Sequence, residues 1–525
     1  MSYPRHGPLQ RACNTIARPL NRPAEAGRAL LVVLLLFCTG CAMAPRERLS
    51  FPTQPLTDDG RTRWYDTDSN GRADFAIVNN SPLSPDTRAA ELLYDDDQDG
   101  HPDRRYAADA YANNPAVPHV VLLLDSIPFH VMQERYAAGD FRFLNAPQKT
   151  IAPFPSLTEI CYGEILGAPP LPTVIDTQYD PRLGKRRSDL WQRVRGDRQP
   201  WERRLTYSAS YAEHGLTFLD PRAWYAAELS RCKRAIDDSP QRLTFVYTAS
   251  AAAMVCKFGR AGAEEVLDGA RQLCLQLIHE RRGAINITVM ADHGHNLMPS
   301  KNVDFAPLLT KSSFRLADSV KTPQDVVLSM NGLVTCALLH TPRPAAVATA
   351  LLRHEGVDLA MYKDSNDRVI VRGPNGTAAI RQTGGRYYAY EPVQGDVLNY
   401  AATVARLKAT GATDANGYAD EDAWFEVTRD HDWPNAPARI WEAFHRQTVS
   451  PPSLMLSLKD DYYCGKPEYE RFIKMASSHG GLNQINCASF VISSTPHFSR
   501  TVPHRRILED LMTYGTPTPT PPVVR

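Results

Sequence analysis

The chain has 525 residues, 43% of them apolar, with 59 basic and 58 acidic side chains giving a formal net charge of +1. That length accommodates two or three domains and a sizeable core. The charge balance argues against a protein built around a basic nucleic-acid footprint, which needs Lys and Arg clustered on one face.

At the N-terminus, Arg5, Arg11, Arg18, Arg22 and Arg28 precede the apolar run ALLVVLLLF from Ala29 to Phe37, followed by small residues and Cys41. This is the pattern of an export signal, and the run is too short for a membrane anchor, which takes about 20 residues. FCTGC resembles a bacterial lipoprotein cleavage box with Cys41 as the lipidated residue; the alternative is plain secretion with cleavage near CAMA. The expected location is the cell envelope, facing the periplasm, with the membrane reached through a lipid anchor. Beyond Cys41 the chain keeps Cys161, Cys232, Cys256, Cys274, Cys336, Cys464 and Cys487. That is an odd number in a disulfide-permissive compartment, so at least one is free or bound to something else.

A polar linker (42–60) leads into a segment (61–110) that holds DTDSNGRAD at 66–74 and DDDQDGHPD at 95–103. Both read D-x-[DN]-x-[DN]-G-x-x-D. Alternating carboxylates place hard oxygen ligands on one side of a tight loop, and glycine permits the turn, which is what calcium requires. Asp66, Asp68, Asn70 and Asp74 form one candidate calcium set, and Asp95, Asp97, Asp99 and Asp103 the other. Neither has the distal Glu of an EF-hand loop, so a structural role is expected; the competing reading is a pair of solvated acidic turns.

From about residue 115 the texture changes. HVVLLLD ends in Asp125, and further apolar runs, LTFVYTAS (243–250), INITVMAD (285–292) and ASFVIS (488–493), alternate with helical stretches such as AEEVLDGARQLCLQLIHE. This is the rhythm of an α/β domain with a mostly parallel sheet and helices on both faces, in which ligands collect at the carboxyl ends of strands. Asp125 and Asp292 fall at such ends. Residues 115–323 and 462–514 are expected to form this core. Between them, 324–461 mixes a helical AAVATALLRHEG with the strand-and-turn segment RVIVRGPNGTAAIRQTGGRYYAY and is expected to be an inserted α+β cap. GTPTPTPP opens a proline-rich tail, 515–525.

Four short motifs then occur in order: LLLD, FPSLT within PFPSLTEICYGEILGA, ADHGH and SSHGGLN. In this order they resemble the alkaline phosphatase superfamily, specifically its type I phosphodiesterase and nucleotide pyrophosphatase branch, over roughly residues 118–515. The resemblance implies a zinc ion held by Asp125, Thr158, Asp292 and His293, with Thr158 as the nucleophile, and a further ligand in His479. Carboxylate and imidazole suit zinc, and a bound metal lowers the pKa of a hydroxyl so that it can attack phosphorus. By itself, a hydroxyl at a helix start such as Thr158 is most often an N-cap.

The sequence departs from that family at the second metal position, where Ala252 stands for an Asp and Cys256 for a His, and beside the nucleophile, where Cys161 replaces an Asn that holds a phosphoryl oxygen. Three readings follow: a single-zinc enzyme, as in the related phosphoethanolamine transferases; an altered second zinc site from Cys256 and His479, with Cys161 as a further candidate; or a catalytically silent envelope protein that binds a phosphorylated ligand or a partner. A Cys161–Cys256 disulfide is a further arrangement that the helical spacing of Thr158 and Cys161 allows. The expected ligand is a phosphorylated small molecule or a lipid or glycan headgroup. His130, His295, His497 and His504 match no position of the family and are assigned no role.

Overall fold

The computed structural model describes residues 45–513 apart from 80–89, 113, 172–173, 175–176, 189–192, 194–195, 330–331, 466–473 and 497–501. The expected signal segment with Cys41, His497 and the proline-rich tail lie outside the described residues.

Three sheets organise the chain. The first is an antiparallel sheet in chain order, β1 (Thr57–Asp58), β2 (Thr62–Tyr65), β3 (Phe75–Val78), β4 (Glu91–Tyr94) and β5 (Arg104–Ala107). The two acidic segments are the β2–β3 and β4–β5 turns, so what the sequence shows as paired loops is a repeated hairpin.

The central sheet carries β6 (His119–Leu124), β7 (Gln148–Ile151), β8 (Leu243–Thr248), β9 (Asn286–Ala291), β10 (Ala488–Ser493) and β11 (Val502–Pro503), in the order β8-β6-β9-β10-β7-β11. β8, β6 and β9 are parallel neighbours, as are β7 and β11, while β10 runs against both of its neighbours. Strand side chains alternate between faces. Val121, Leu123, Tyr247, Met290 and Val491 enter one core, and Val120, Leu122, Leu124, Val246, Val289 and Phe490 enter the other. A strand buried on both faces is apolar except where a polar side chain is paired, which explains the run VVLLL after His119, whose ring meets the Thr288 hydroxyl. Helix α1 (Phe129–Ala137), α3 (Pro221–Asp237) and α4 (Ser250–Glu280) cover the second face, and α2 (Thr158–Ile165) covers the first. This is an α/β architecture.

Helix α4 is broken at Gly259, whose φ of 59° and ψ of −131° are not helical. Its second half recrosses the first so closely that a Cβ on Gly262 would lie 2.2 Å from the Met254 carbonyl oxygen. The break leaves 250–258 as a short helix starting directly at the end of β8. The far end of the second half docks on the first sheet, where the His279 ring lies 5.1 Å from Phe75 and 5.9 Å from Tyr94.

The third sheet has nine strands running from Arg315–Leu316 to Leu454–Leu458, antiparallel except at its first pair. The segment expected as a cap is therefore largely a second full sheet, and its edge strand begins nine residues before the expected boundary at 324. Leu338, Leu359, Met361, Tyr388 and Met455 on its inner face share one apolar core with Val121, Leu123 and Tyr162 of the central domain. Each such leucine contributes about 1.5–3 kcal/mol by leaving water, so the two sheets are coupled through their common core.

Candidate active site

Register builds the site. Leu124 pairs with Ala291 at the ends of the parallel strands β6 and β9, so the next residues, Asp125 and Asp292, emerge side by side from strands about 4.8 Å apart. Asp125, Asp292 and His293 are all buried, and one ligand atom of each lies within 4.8 Å of the others.

Every first contact orients these groups. Asp292 Oδ1 accepts the backbone N–H groups of Ser126 and His293, both at 3.0 Å. Its Oδ2 is buried with no hydrogen-bond partner and lies 3.2 Å from His293 Nε2. Asp125 Oδ1 accepts the Ser126 hydroxyl at 2.7 Å, and its Oδ2 accepts the hydroxyl of Tyr247 from β8. His293 Nδ1 is 3.0 Å from the Gly294 carbonyl oxygen. A carbonyl only accepts, so Nδ1 carries the proton and Nε2 presents its lone pair to the carboxylates. Gly294 is required here because a Cβ would lie 2.1 Å from the Ile485 carbonyl oxygen.

Thr158 is not the cap of α2. The N-cap position belongs to Leu157, which makes no side-chain cap. Thr158 sits one residue inside, with Oγ1 3.4 Å from Asp125 Oδ2 and 3.4 Å from His293 Nε2. The helix start thus carries no side-chain cap, and the positive end of its dipole lies beside the hydroxyl, an arrangement suited to an anion. The proline turn that delivers it interlocks with the SSHGGLN loop: Ser156 N–H donates to the Gly480 carbonyl, and His479 Nδ1 lies 2.9 Å from the Ser156 carbonyl. His479 stacks on His293 with ring centroids 4.0 Å apart. Thr158 and His479 are only partly buried, and they form the mouth of the site.

Burial pushes the carboxyl groups of Asp125 and Asp292 above their ordinary range, Asp292 further because Asp125 adds negative charge. Burial holds His293 and His479 at about 3. Two desolvated carboxylates, an unpartnered oxygen and an imidazole with a bare nitrogen need a cation to offset the cost of burying charge. The donor set is one that zinc accepts, so these residues fit the metal implied by the motif order.

The remaining expected residues divide. Ala252 and Cys256 lie on one face of the short first half of α4, one turn apart, and Cys256 is buried with its Sγ 3.8 Å from His295 Nε2. Burial pushes the Cys256 thiol up to about 12. Cys161 packs instead with Ile151, Ala152, Phe425 and Cys487. All seven described cysteines are free, so the Cys161–Cys256 disulfide is not formed. The reason is helical phase: α2 turns Cys161 into the apolar pocket beneath β7.

Two histidines without an assigned role are buried. His295 lies beside His479, ring centroids 5.1 Å apart, and His504 is fully buried near His293. Tyr247, which pairs with Leu123 across the sheet and reaches Asp125, is a further support of the site that no motif in the sequence marks.

The acidic turns repeat one hydrogen-bond pattern. Asp66 accepts N–H groups of Asn70 and Gly71, Asp95 those of Asp99 and Gly100, and the distal Asp74 and Asp103 accept Thr67 and Asp96 N–H. Asp95, Asp97 and Asp99 bring ligand oxygens within 4.8 Å of one another. Asn70 Nδ2 donates to Gln98 Oε1 at 2.6 Å, linking the turns.

No family model matches the chain, and no curated protein matches it in sequence. Among solved structures the chain is similar to phosphonoacetate hydrolase from Sinorhizobium meliloti 1021 in complex with phosphonoacetate, at 11% identity and a TM-score of 0.42 over 79% of this chain and 98% of that one. The same hydrolase with phosphonoformate gives 12%, 0.40, 79% and 98%. Murine ectonucleotide pyrophosphatase/phosphodiesterase 5 gives 12%, 0.41, 77% and 96%. These proteins are members of the alkaline phosphatase superfamily. No helix among the described residues is long and apolar enough to cross a membrane.

Proposed function

We propose that the chain is an exported, metal-dependent phosphoryl-transfer hydrolase acting on a phosphodiester or phosphomonoester with Thr158 as nucleophile. The observation that supports this reading is the position of Thr158 Oγ1, 3.4 Å from both Asp125 Oδ2 and His293 Nε2, at an uncapped helix start. Asp125, Asp292 and His293 would hold zinc, with Thr158 and His479 beside it; the ion supplies positive charge that favours the alkoxide and stabilises charge on a phosphoryl oxygen.

Thr158 Oγ forms a bond to phosphorus while the bond from phosphorus to the leaving oxygen breaks. The hydroxyl proton is given up to water, because Asp125 Oδ2, which the hydroxyl faces, already accepts the Tyr247 hydroxyl and would hold the ion, and the leaving oxygen takes up a proton from water. The positive end of the α2 dipole favours the charge on a phosphoryl oxygen. Water, or an acceptor alcohol, then cleaves the phosphothreonine and restores the hydroxyl. A single-metal transferase is the second reading, favoured by Ala252, which brings no ligand to the neighbouring position.

The acidic turns are proposed to bind calcium in a structural role, and Cys41 to carry the lipid anchor. The experiment is turnover of a chromogenic phosphodiester by the zinc-loaded protein and by Thr158→Ala. The variant should lose at least about a thousandfold in kcat, as loss of a nucleophile does. Equal turnover by both would end the proposal, and no turnover by the parent protein would leave a binding protein.

A further inference from the structure

We propose that a cavity at one end of the third sheet is a saccharide-binding site, which shares no residue with the carboxylate site and does not depend on the reading of that site. The cavity measures about 530 Å³, within the roughly 300–1,000 Å³ that small-molecule sites occupy. Its polar lining is Asp358, Asn375, Asp396, Asn399 and Asp432, with Trp433 as the aromatic wall.

Register locates the cavity. Strands Cys336–His340, Leu454–Leu458, Val357–Lys363, Val369–Gly373, Gly376–Thr383 and Tyr387–Gly395 follow one another as antiparallel neighbours. Asp358, Asn375 and Asp396 therefore lie at the same end of the sheet as Cys336. Asp358 is the extra residue of a bulge there, because Val357 pairs with Leu458 and Leu359 with Ser457. A bulge re-aims a side chain out of the regular alternation. At this same end the Thr335 N–H donates to the His479 carbonyl at 2.6 Å, and Gln484, just past SSHGGLN, donates its N–H to the Asp432 carbonyl at 2.8 Å. The cavity wall is thus tied to the loop that carries His479.

The walls are fixed while most of the lining side chains are unused. The Asp396 N–H donates to the Asn375 carbonyl at 3.2 Å, and the Tyr400 hydroxyl donates to the Trp433 carbonyl. Asp396 is itself held, its two oxygens accepting the Tyr390 hydroxyl at 2.8 Å and the Ala401 N–H at 2.6 Å. By contrast, among the described residues the side chains of Asp358, Asn375, Asn399 and Asp432 and the Trp433 indole N–H make no hydrogen bond or ion pair. Burial pushes the Asp358 carboxyl up to about 6, with Lys459 opposing the shift and Asp460 adding to it. A ligand hydroxyl that donates to this carboxylate offsets the cost of its burial. The lining holds no Lys or Arg, which argues against a phosphate or carboxylate as the group bound. Carboxylates alone would suit a cation, but Asn375 and Asn399 add amide N–H donors that a cation cannot use. A sugar hydroxyl both donates and accepts, and the apolar face of a sugar ring packs on an indole, which combines a large apolar surface with a polar N–H.

A microarray of unphosphorylated glycans, probed with the labelled full-length protein and followed by calorimetric titration of the best-bound soluble glycan, tests this. Binding should appear in protein prepared without zinc and persist in Asp292→Asn. Asp358→Asn, which replaces a charged acceptor by an amide of the same shape, should raise the Kd at least about tenfold. Trp433→Ala should lose binding. A protein that binds no glycan on the array overturns the inference. Binding that is unchanged in both Asp358→Asn and Trp433→Ala overturns it too, and so does binding that is lost in Asp292→Asn, which would place the sugar at the carboxylate site. If Trp433→Ala does not fold, as judged by circular dichroism, Asp358→Asn and Asn375→Ala, the latter on an exposed turn, decide. Failure on the array leaves the hydrolase reading standing, because turnover at Thr158 is measured separately.

Discussion

Tyr247→Phe removes a single hydroxyl from the support of the metal site. The ring is 3% exposed and packed edge-on against Trp201 at 5.4 Å and Tyr162 at 5.3 Å, so phenylalanine keeps the packing. What is lost is the bond to Asp125 Oδ2. A hydrogen bond to a charged acceptor contributes about 1.5–3 kcal/mol, which converts to roughly 10- to 150-fold in affinity. The burial of Asp125 keeps water from replacing the donor. Zinc Kd measured by competition with a chromogenic chelator should therefore rise by that factor, with melting of the zinc-loaded protein lowered in step. An unchanged or tighter Kd would refute the reasoning, because it would mean that the hydroxyl competes with the cation for Oδ2 instead of orienting it.

Glu228 is fully buried, accepts the Ala249 and Ser250 N–H groups at 3.1 and 2.9 Å at the start of α4, and is pushed up to about 7 by burial. A carboxyl group raised in the folded state adds most stability below its unfolded value of 4.5 and loses it as pH rises to about 7, a loss of about 3 kcal/mol. Glu228→Gln should flatten that part of the Tm profile between pH 4.5 and 7, and an unaltered profile would exclude Glu228 as its source. Calcium at about 100 times its Kd should stabilise the protein by about 2.7 kcal/mol, seen as a higher Tm that disappears in Asp95→Asn/Asp97→Asn, with zinc content unchanged.

The parts of the site legible in the sequence are those built by strand ends. A β-branched, largely apolar run followed by Asp identifies Asp125 and Asp292, and parallel register then places them together. Thr158 was legible as a residue at a helix start, but whether it caps the helix or faces a carboxylate depends on one position of phase, which only the turn geometry decides. The apolar packing of Cys161 against Phe425 and Cys487 is likewise set by distant parts of the chain. The burial of His295 is not legible locally, because its partners Ser477 and Cys256 lie 182 and 39 residues away. The third sheet was underestimated because its short antiparallel strands, separated by turns, read locally as a mixed insertion; that it shares a core with the central sheet is a tertiary fact.

The most direct test of the account is to acid-quench the zinc-loaded protein during turnover of an activated phosphodiester and map the modified residue by peptide mass spectrometry. The account predicts a phosphoryl adduct on Thr158, absent from Thr158→Ala and from protein stripped of metal. Turnover that proceeds with Thr158 unmodified, or an adduct on another residue, would contradict it.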